Sequence, residues 1–178
     1  MRVIAGTLRG RSLKTSDSYR PTTDRVRETL FNILQNQIEN SIFIDAFAGS
    51  GAVGIEALSR GASRVYFLET NHKALYALEE NLKICGEKAL WRIYSLPAIK
   101  GMEVIHKSGE NVDIVFFDPP YDYQDYQDLI TAASELFPAA LLILETSSRT
   151  KLQLPSNVIL SRQKKIGETL LTFWVAST

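Results

Sequence analysis

The residues of this chain best suited to do chemistry are Asp118-Pro119-Pro120-Tyr121. They follow the apolar run Val112-Asp113-Ile114-Val115-Phe116-Phe117, which reads as a buried strand. The tetrapeptide therefore sits on the loop at a strand's C-terminal end, where open α/β sheets place their ligands. Two consecutive prolines stiffen that loop and remove two backbone donors. What the loop offers is acceptors, the Asp118 carboxylate and the proline carbonyls, beside the ring of Tyr121. Acceptors next to a stacking face can hold a flat base by an exocyclic NH2 group. A Pro-Pro turn with a capping Asp is the plainer reading of these four residues alone, and the rest of the chain decides between the two.

A second cluster lies upstream. Ile42-Phe43-Ile44-Asp45 reads as a short strand, followed by Ala46-Phe47-Ala48-Gly49-Ser50-Gly51-Ala52-Val53-Gly54 and a helical stretch to Leu58. Gly49, Gly51 and Gly54 form a G-x-G-x-x-G pattern between a strand and a helix, placed as the dinucleotide-binding fingerprint requires. Glycine permits the tight turn and close backbone approach, and the helix N-terminus aims N–H groups at the ligand. About 20 residues on, the strand Val65-Tyr66-Phe67-Leu68 ends in Glu69, whose carboxylate can accept from both hydroxyls of a ribose. These features together point to an adenosine-containing cofactor. NAD fits the glycines and Glu69 but gives no account of Asp118-Pro119-Pro120-Tyr121.

Asp45-Ala46-Phe47-Ala48-Gly49-Ser50-Gly51-Ala52, Glu69 and Asp118-Pro119-Pro120-Tyr121 resemble the cofactor loop, ribose-binding acid and catalytic loop of the amino-methylating S-adenosyl-L-methionine (AdoMet)-dependent methyltransferases. Gly6-Thr7-Leu8-Arg9-Gly10-Arg11-Ser12-Leu13, the segment from Arg20-Pro21-Thr22-Thr23 to Asn32, and Glu56-Ala57-Leu58-Ser59-Arg60-Gly61-Ala62 resemble the RsmD family, which methylates guanine N2 in small-subunit (16S) ribosomal RNA. The resemblance covers nearly the whole chain. It implies AdoMet held by Asp45, Phe47, Gly49, Ser50, Gly51 and Glu69, and catalysis by Asp118, Pro119, Pro120 and Tyr121. It also implies a class I methyltransferase fold, a mostly parallel seven-stranded Rossmann-like sheet closed by an antiparallel hairpin. In one place the chain departs from the family, whose third strand usually ends in an acid that contacts the adenine amine. Trp91-Arg92-Ile93-Tyr94-Ser95-Leu96 has no acid there, so Ser95 or the backbone takes that contact.

The positioning elements alternate. A helix is expected over 24–37, capped by Thr22 or Thr23, then strand, glycine loop and a helix through Arg60 with Gly61 past its end. After the second strand, Asn71 caps a helix whose apolar face carries Leu75, Leu78, Leu82 and Cys85, so Cys85 reads as core and not as a nucleophile. A strand over 89–94, a helix over 98–106, the Asp118 strand, a helix over 124–137 and a strand over 140–146 follow. Residues 158–163 and 169–175 read as the closing hairpin. Strands alternating with helices imply a parallel sheet covered on both faces.

Composition fits one enzyme domain over 1–178, a basic arm over 1–23 and a catalytic core over 24–178. The chain has 178 residues, 45% of them hydrophobic, and no apolar run near the ~18 residues of a membrane span. One cysteine excludes an internal disulfide and suits the cytoplasm. The two histidines, His72 and His106, stand apart from other ligand types, and no metal is expected. A monomer is expected.

Net charge is zero, yet residues 1–27 hold seven basic side chains against two acidic ones, a local +5. A phosphate backbone meets the local field and not the whole-chain sum. Arg9, Arg11, Lys14 and Arg20 are expected on RNA phosphates, with Arg25 and Arg27 beside the helix that walls the active site. The arm is expected to be separable from the cofactor loop. Arg162, Lys164 and Lys165 form a second, smaller basic group. A DNA adenine-N6 methyltransferase would use the same loop chemistry but usually needs a target-recognition domain. An NAD(P) oxidoreductase and a non-catalytic RNA-binding protein each account for only part of the pattern.

Overall fold

Strands and helices alternate along the computed structural model, which describes all residues except 16–22, 87–88, 121, 154 and 178. In chain order the elements are α1 (Asp24–Ile33), β1 (Ile42–Ala46), α2 (Ala52–Ser59), β2 (Arg64–Leu68), α3 (His72–Leu82), β3 (Trp91–Tyr94), α4 (Ala98–Lys107), β4 (Ile114–Phe117), α5 (Tyr126–Leu136), β5 (Leu141–Ser147), β6 (Val158–Ile166) and β7 (Thr169–Ala176). The seven strands lie in the order β3-β2-β1-β4-β5-β7-β6. β1 to β5 are parallel, and β7 and β6 complete the sheet antiparallel.

The period-two alternation of strand side chains divides the core into two layers. Phe43, Phe67, Phe116, Ile143 and Phe173 face α1, α2 and α3. Ile44, Leu68, Val115, Leu144 and Trp174 face α4 and α5. Both faces of the central strands are covered, which is why β4 is apolar at every position. The helix starts follow their capping residues: the Thr23 hydroxyl accepts from Val26 N at 3.3 Å, and the Asn71 side chain accepts from Lys73 N and Ala74 N. α1 is shorter than its apolar periodicity suggested. It gives way at Leu34, because the chain must reverse through Asn40, at φ 61°, to enter β1.

The N-terminal arm is docked onto the core. Arg2 and Ser12 form an antiparallel bridge, and Val3 and Leu13 are buried. The Glu56 carboxylate, fully buried on α2, accepts from Ile4 N at 2.8 Å, Ala5 N at 2.9 Å and Arg60 Nε at 2.8 Å. Buried Asn81 on α3 accepts from Lys14 N at 2.7 Å and donates to Lys14 O and Ser50 O, both at 2.9 Å. One carboxamide thus joins the arm, α3 and the glycine loop, a link that the sequence reading, which set the arm apart from that loop, did not contain. Arg27 corrects a further expectation. Its side chain is fully buried and donates to Arg2 O at 2.6 Å and Asp24 Oδ1 at 2.9 Å, so it holds the arm to α1 and cannot meet a phosphate.

Because Glu56 is the acceptor for two arm N–H groups and a buried ion-pair partner, Glu56→Ala should destabilise the protein by about 3–5 kcal/mol. Urea unfolding followed by circular dichroism checks this. A loss under ~1 kcal/mol would mean that the arm contributes little to the fold.

Candidate active site

β1 and β4 are neighbours, with Ala46 opposite Phe117, so the loops that follow them start side by side at one end of the sheet. The glycine loop occupies the first. Gly49 is at φ 56° and Gly51 at φ 80°, and Phe47, which is not glycine, is held at φ 63°. A non-glycine residue there costs on the order of 1–3 kcal/mol and persists only where its surroundings impose it. Here they do: Ala48 N donates to Leu68 O at 3.0 Å and Gly49 N to Glu69 Oε2 at 2.8 Å.

The three glycines have different tasks. A Cβ on Gly54 would lie 2.2 Å from Phe67 Cε1, and one on Gly51 would lie 2.3 Å from Leu78 Cδ1. Gly54 lets α2 pack onto β2, and Gly51 leaves room for Leu78 of α3. A Cβ on Gly49 would meet nothing within 4 Å, so open space lies in front of that residue. This space is bordered by the loop backbone and by the Glu69 carboxylate that Gly49 N meets.

Glu69, at the end of β2 and 4% exposed, accepts from three backbone N–H groups: Gly49 on Oε2, and Thr70 and Asn71 on Oε1 at 2.8 and 2.7 Å. An ionised carboxylate has about four acceptor sites. One is left open to a further donor. Asp45 is turned into the protein and accepts from Gly54 N at 2.7 Å, fixing the start of α2. Burial drives its carboxyl well above the usual carboxylate range. The Gly54 bond opposes that shift, and the charges of Asp118 and Glu69 add to it. Ser50 reaches the network through its carbonyl, and Ser95 is exposed just past β3, at the same end of the sheet.

On the second loop Asp118 and Pro120 are half-buried and Pro119 is buried. The loop closes with Tyr123 N donating to Pro120 O at 2.9 Å. Phe47 meets the Tyr123 ring edge to face at 5.3 Å, and Tyr123 meets Tyr126 at 5.4 Å. An aromatic wall therefore bridges the two loops. Burial raises the hydroxyl pKa of both tyrosines, and Asp118 and Asp122 add to the shift at Tyr126. Tyr123 and Tyr126 escaped the sequence reading, although the spacing Tyr121, Tyr123, Tyr126 directly after two prolines was visible. Tyr121 and Arg20 lie outside the described residues. Arg9, Arg11, Lys14 and Arg25 are exposed, and Lys14 pairs with Glu80 at 3.2 Å. Burial pushes the Cys85 thiol up to about 11, which makes it a poor nucleophile. Among the described residues no group of three His, Cys, Asp or Glu side chains is placed to hold a metal, and no helix is long and apolar enough to cross a membrane.

A buried acid with a raised pKa lends stability below its unfolded value, and that stability is lost as pH rises toward the folded value. Asp45→Asn keeps an acceptor for Gly54 and cannot ionise. The variant should therefore gain thermal stability relative to the parent as pH rises from 5 to 9. Parallel melting curves across that range would show that Asp45 is ionised throughout.

The family described as conserved hypothetical protein 95 matches residues 1–175. Ribosomal RNA small subunit methyltransferase D of Haemophilus influenzae is 39% identical over 176 residues, covering 94% of this chain and 89% of the relative. The solved structure of a hypothetical protein from Thermus thermophilus superposes with a TM-score of 0.83 at 32% identity, covering 99% of each chain. The rRNA methyltransferase aviRa from Streptomyces viridochromogenes, at 15% identity and TM-score 0.69 over 90% of this chain and 88% of its own, shares the fold alone. Sheet order and sequence agree: this chain has the class I methyltransferase fold and belongs to the RsmD family.

Proposed function

We propose that this chain is an AdoMet-dependent methyltransferase acting, as a cytoplasmic monomer, on the exocyclic N2 amine of a guanine in 16S ribosomal RNA within the small ribosomal subunit. The observation that carries this reading is the juxtaposition of Ala46 and Phe117. It sets the open space in front of Gly49 beside the acceptors of Asp118 and Pro119. The relatives' names supply the RNA class. A dinucleotide fits less well, because the middle glycine that a pyrophosphate would approach is packed by Leu78.

Gly49 and Ser50 present backbone to the cofactor, Gly51 lets the loop turn into α2 against Leu78, Glu69 accepts one ribose hydroxyl, and Ser95 stands at the adenine end. Asp45 and Phe47 act by holding the loop. AdoMet, when bound, supplies a methyl group activated by a cationic sulfur. The guanine N2 lone pair is delocalised into its ring and is a poor nucleophile. The Asp118 carboxylate and the Pro119 carbonyl accept its two hydrogens and let the nitrogen pyramidalise. Nitrogen gains the methyl carbon as that carbon's bond to sulfur breaks, the electron pair staying on sulfur as a neutral thioether, and nitrogen loses one proton, for which Asp118 is the nearest base on the loop. Acceptors aimed at charge that develops on nitrogen favour the transition state over the bound base. Pro120 keeps the loop rigid, and Tyr121 stacks on the base, a contact worth about 1–3 kcal/mol. The target must be unpaired or flipped out to reach these atoms. Arg9, Arg11, Lys14, Arg20 and Arg25 contact RNA phosphates.

Labelled AdoMet and small ribosomal subunits lacking the modification should yield N2-methylguanosine on digestion. Labelled N6-methyladenosine, or no incorporation, would overturn the assignment. Two variants separate binding from chemistry. Glu69→Gln should weaken AdoMet about 10–100-fold in calorimetry, as a lost charge-assisted hydrogen bond does, and undiminished affinity would remove Glu69 from the cofactor site. Asp118→Ala should lower kcat by about 10²–10³ with little effect on AdoMet affinity, with Asp118→Asn between it and the parent. Cys85→Ser should remain active, and an inactive folded form would point to a covalent route.

A further inference from the structure

The catalytic loop is acidic. Residues 118–128 contain Asp118, Asp122, Asp125 and Asp128 and no basic side chain. A polyanion brought to Asp118 meets that field, so a compensating one must lie close by. The arm supplies only part of it at this end of the molecule. Leu8 N bonds Ser59 Oγ, which seats Arg9 beside the last turn of α2, the end of that helix farthest from the glycine loop.

Strand register places a different basic group at the catalytic end. Phe117 pairs with Leu144, so Asp118 is level with Glu145. Glu145 pairs with Leu171, and Leu171 with Lys164. Lys164 therefore lies in the same row across the sheet as Asp118, three strands away, or about 14 Å at ~4.8 Å per strand. Lys165 and the turn at Gly167 rise one step beyond it, where Ser148 N bonds Glu168 O at 2.7 Å. Residues 147–169 hold Arg149, Lys151, Arg162, Lys164 and Lys165 against Glu168 alone, and all five basic residues are exposed. Arg162 and Lys164 pair with Phe173 and Leu171, which share the sheet face covered by α1. Their side chains thus stand on the side where α1 carries Arg25.

We infer that the β6–β7 hairpin, through Arg162, Lys164 and Lys165, is a phosphate-contacting surface that holds the RNA strand beside the base bound at Asp118. This rests on the proposed RNA methyltransferase function. The plain alternative is that lysines guard an edge strand against pairing. A bulge between Leu160 and Arg162 already interrupts that edge. Edge protection also predicts aggregation on loss of the charges, whereas a phosphate contact predicts a changed salt dependence.

The test uses the full chain carrying Arg162→Ala, Lys164→Ala and Lys165→Ala together, with small ribosomal subunits lacking the modification as the probe. Binding is measured at several salt concentrations, alongside methyl transfer and AdoMet calorimetry. The slope of log affinity against log salt should fall by about 2, at roughly 0.7–0.9 for each phosphate no longer neutralised. KM for the subunit should rise about 10-fold or more, with kcat and AdoMet affinity unchanged. Lys107→Ala removes an equally exposed charge from the opposite end of the sheet and should leave the slope unaltered. An unchanged slope and KM in the triple variant, with methyl transfer intact, overturn the hairpin surface and leave the function standing. A reduced slope in a protein that binds subunits but transfers no methyl group supports the surface and overturns the function. Failure of the parent protein to bind subunits overturns both.

Discussion

Three backbone N–H groups converge on one carboxylate, Glu69, and the geometry of the candidate site depends on that convergence. A loop has no ladder to satisfy its donors, and a buried donor without a partner costs about 1–3 kcal/mol. Glu69 takes the place that water would otherwise fill. In doing so it ties the glycine loop after β1 to the start of the segment after β2. Asp45 does the same for the first turn of α2, and Asn81 for Ser50 and the arm. The left-handed backbone at Phe47 is tolerable because it lies among these fixed points, and its ring is then able to meet Tyr123 across the site.

Strand polarity supplies the second constraint. Five parallel strands put every loop that leaves them at one end of the sheet, so Gly49, Glu69, Ser95 and Asp118, widely scattered along the chain, become neighbours. The antiparallel return of β7 and β6 then brings a turn from the far end of the sequence to the same end of the sheet. The core on either face serves that arrangement. It fixes register, and register decides which residue of each strand comes last before its loop.

What the sequence made legible was whatever repeats or follows a local rule. The seven strands, the capping roles of Thr23 and Asn71, and the position of Gly61 past α2 all come from periodicity and turn chemistry, and the structure has them. What stayed hidden depends on contacts distant in sequence. Arg27 is spaced like a surface arginine beside Arg25, and only the docked arm makes it a buried brace. Asn81 and Glu56 sit at ordinary polar positions of helical patterns, yet their partners are 67 and 52 residues away. Side chains that bind remote backbone leave no periodic trace. Such a residue looks like any other polar position until topology brings its partner to it.

Charge is divided in a way that follows from these positions. Asp45, Glu69 and Asp118 gather at one end of the sheet, where burial first, and then the charges of Asp118 and Glu69, push the Asp45 carboxyl well above the usual carboxylate range. The remaining negative field favours a cationic ligand near the glycine loop and opposes a polyanion. Basic residues therefore cannot be placed among the loops without neutralising the acceptors that the chemistry needs. They are placed outside them, on the arm, on α1 and on the β6–β7 turn, where water screens them from the acids within about 10 Å at ordinary salt. On the proposed function, a chain of net charge zero in this way presents an acidic centre to a small cation and a basic rim to RNA.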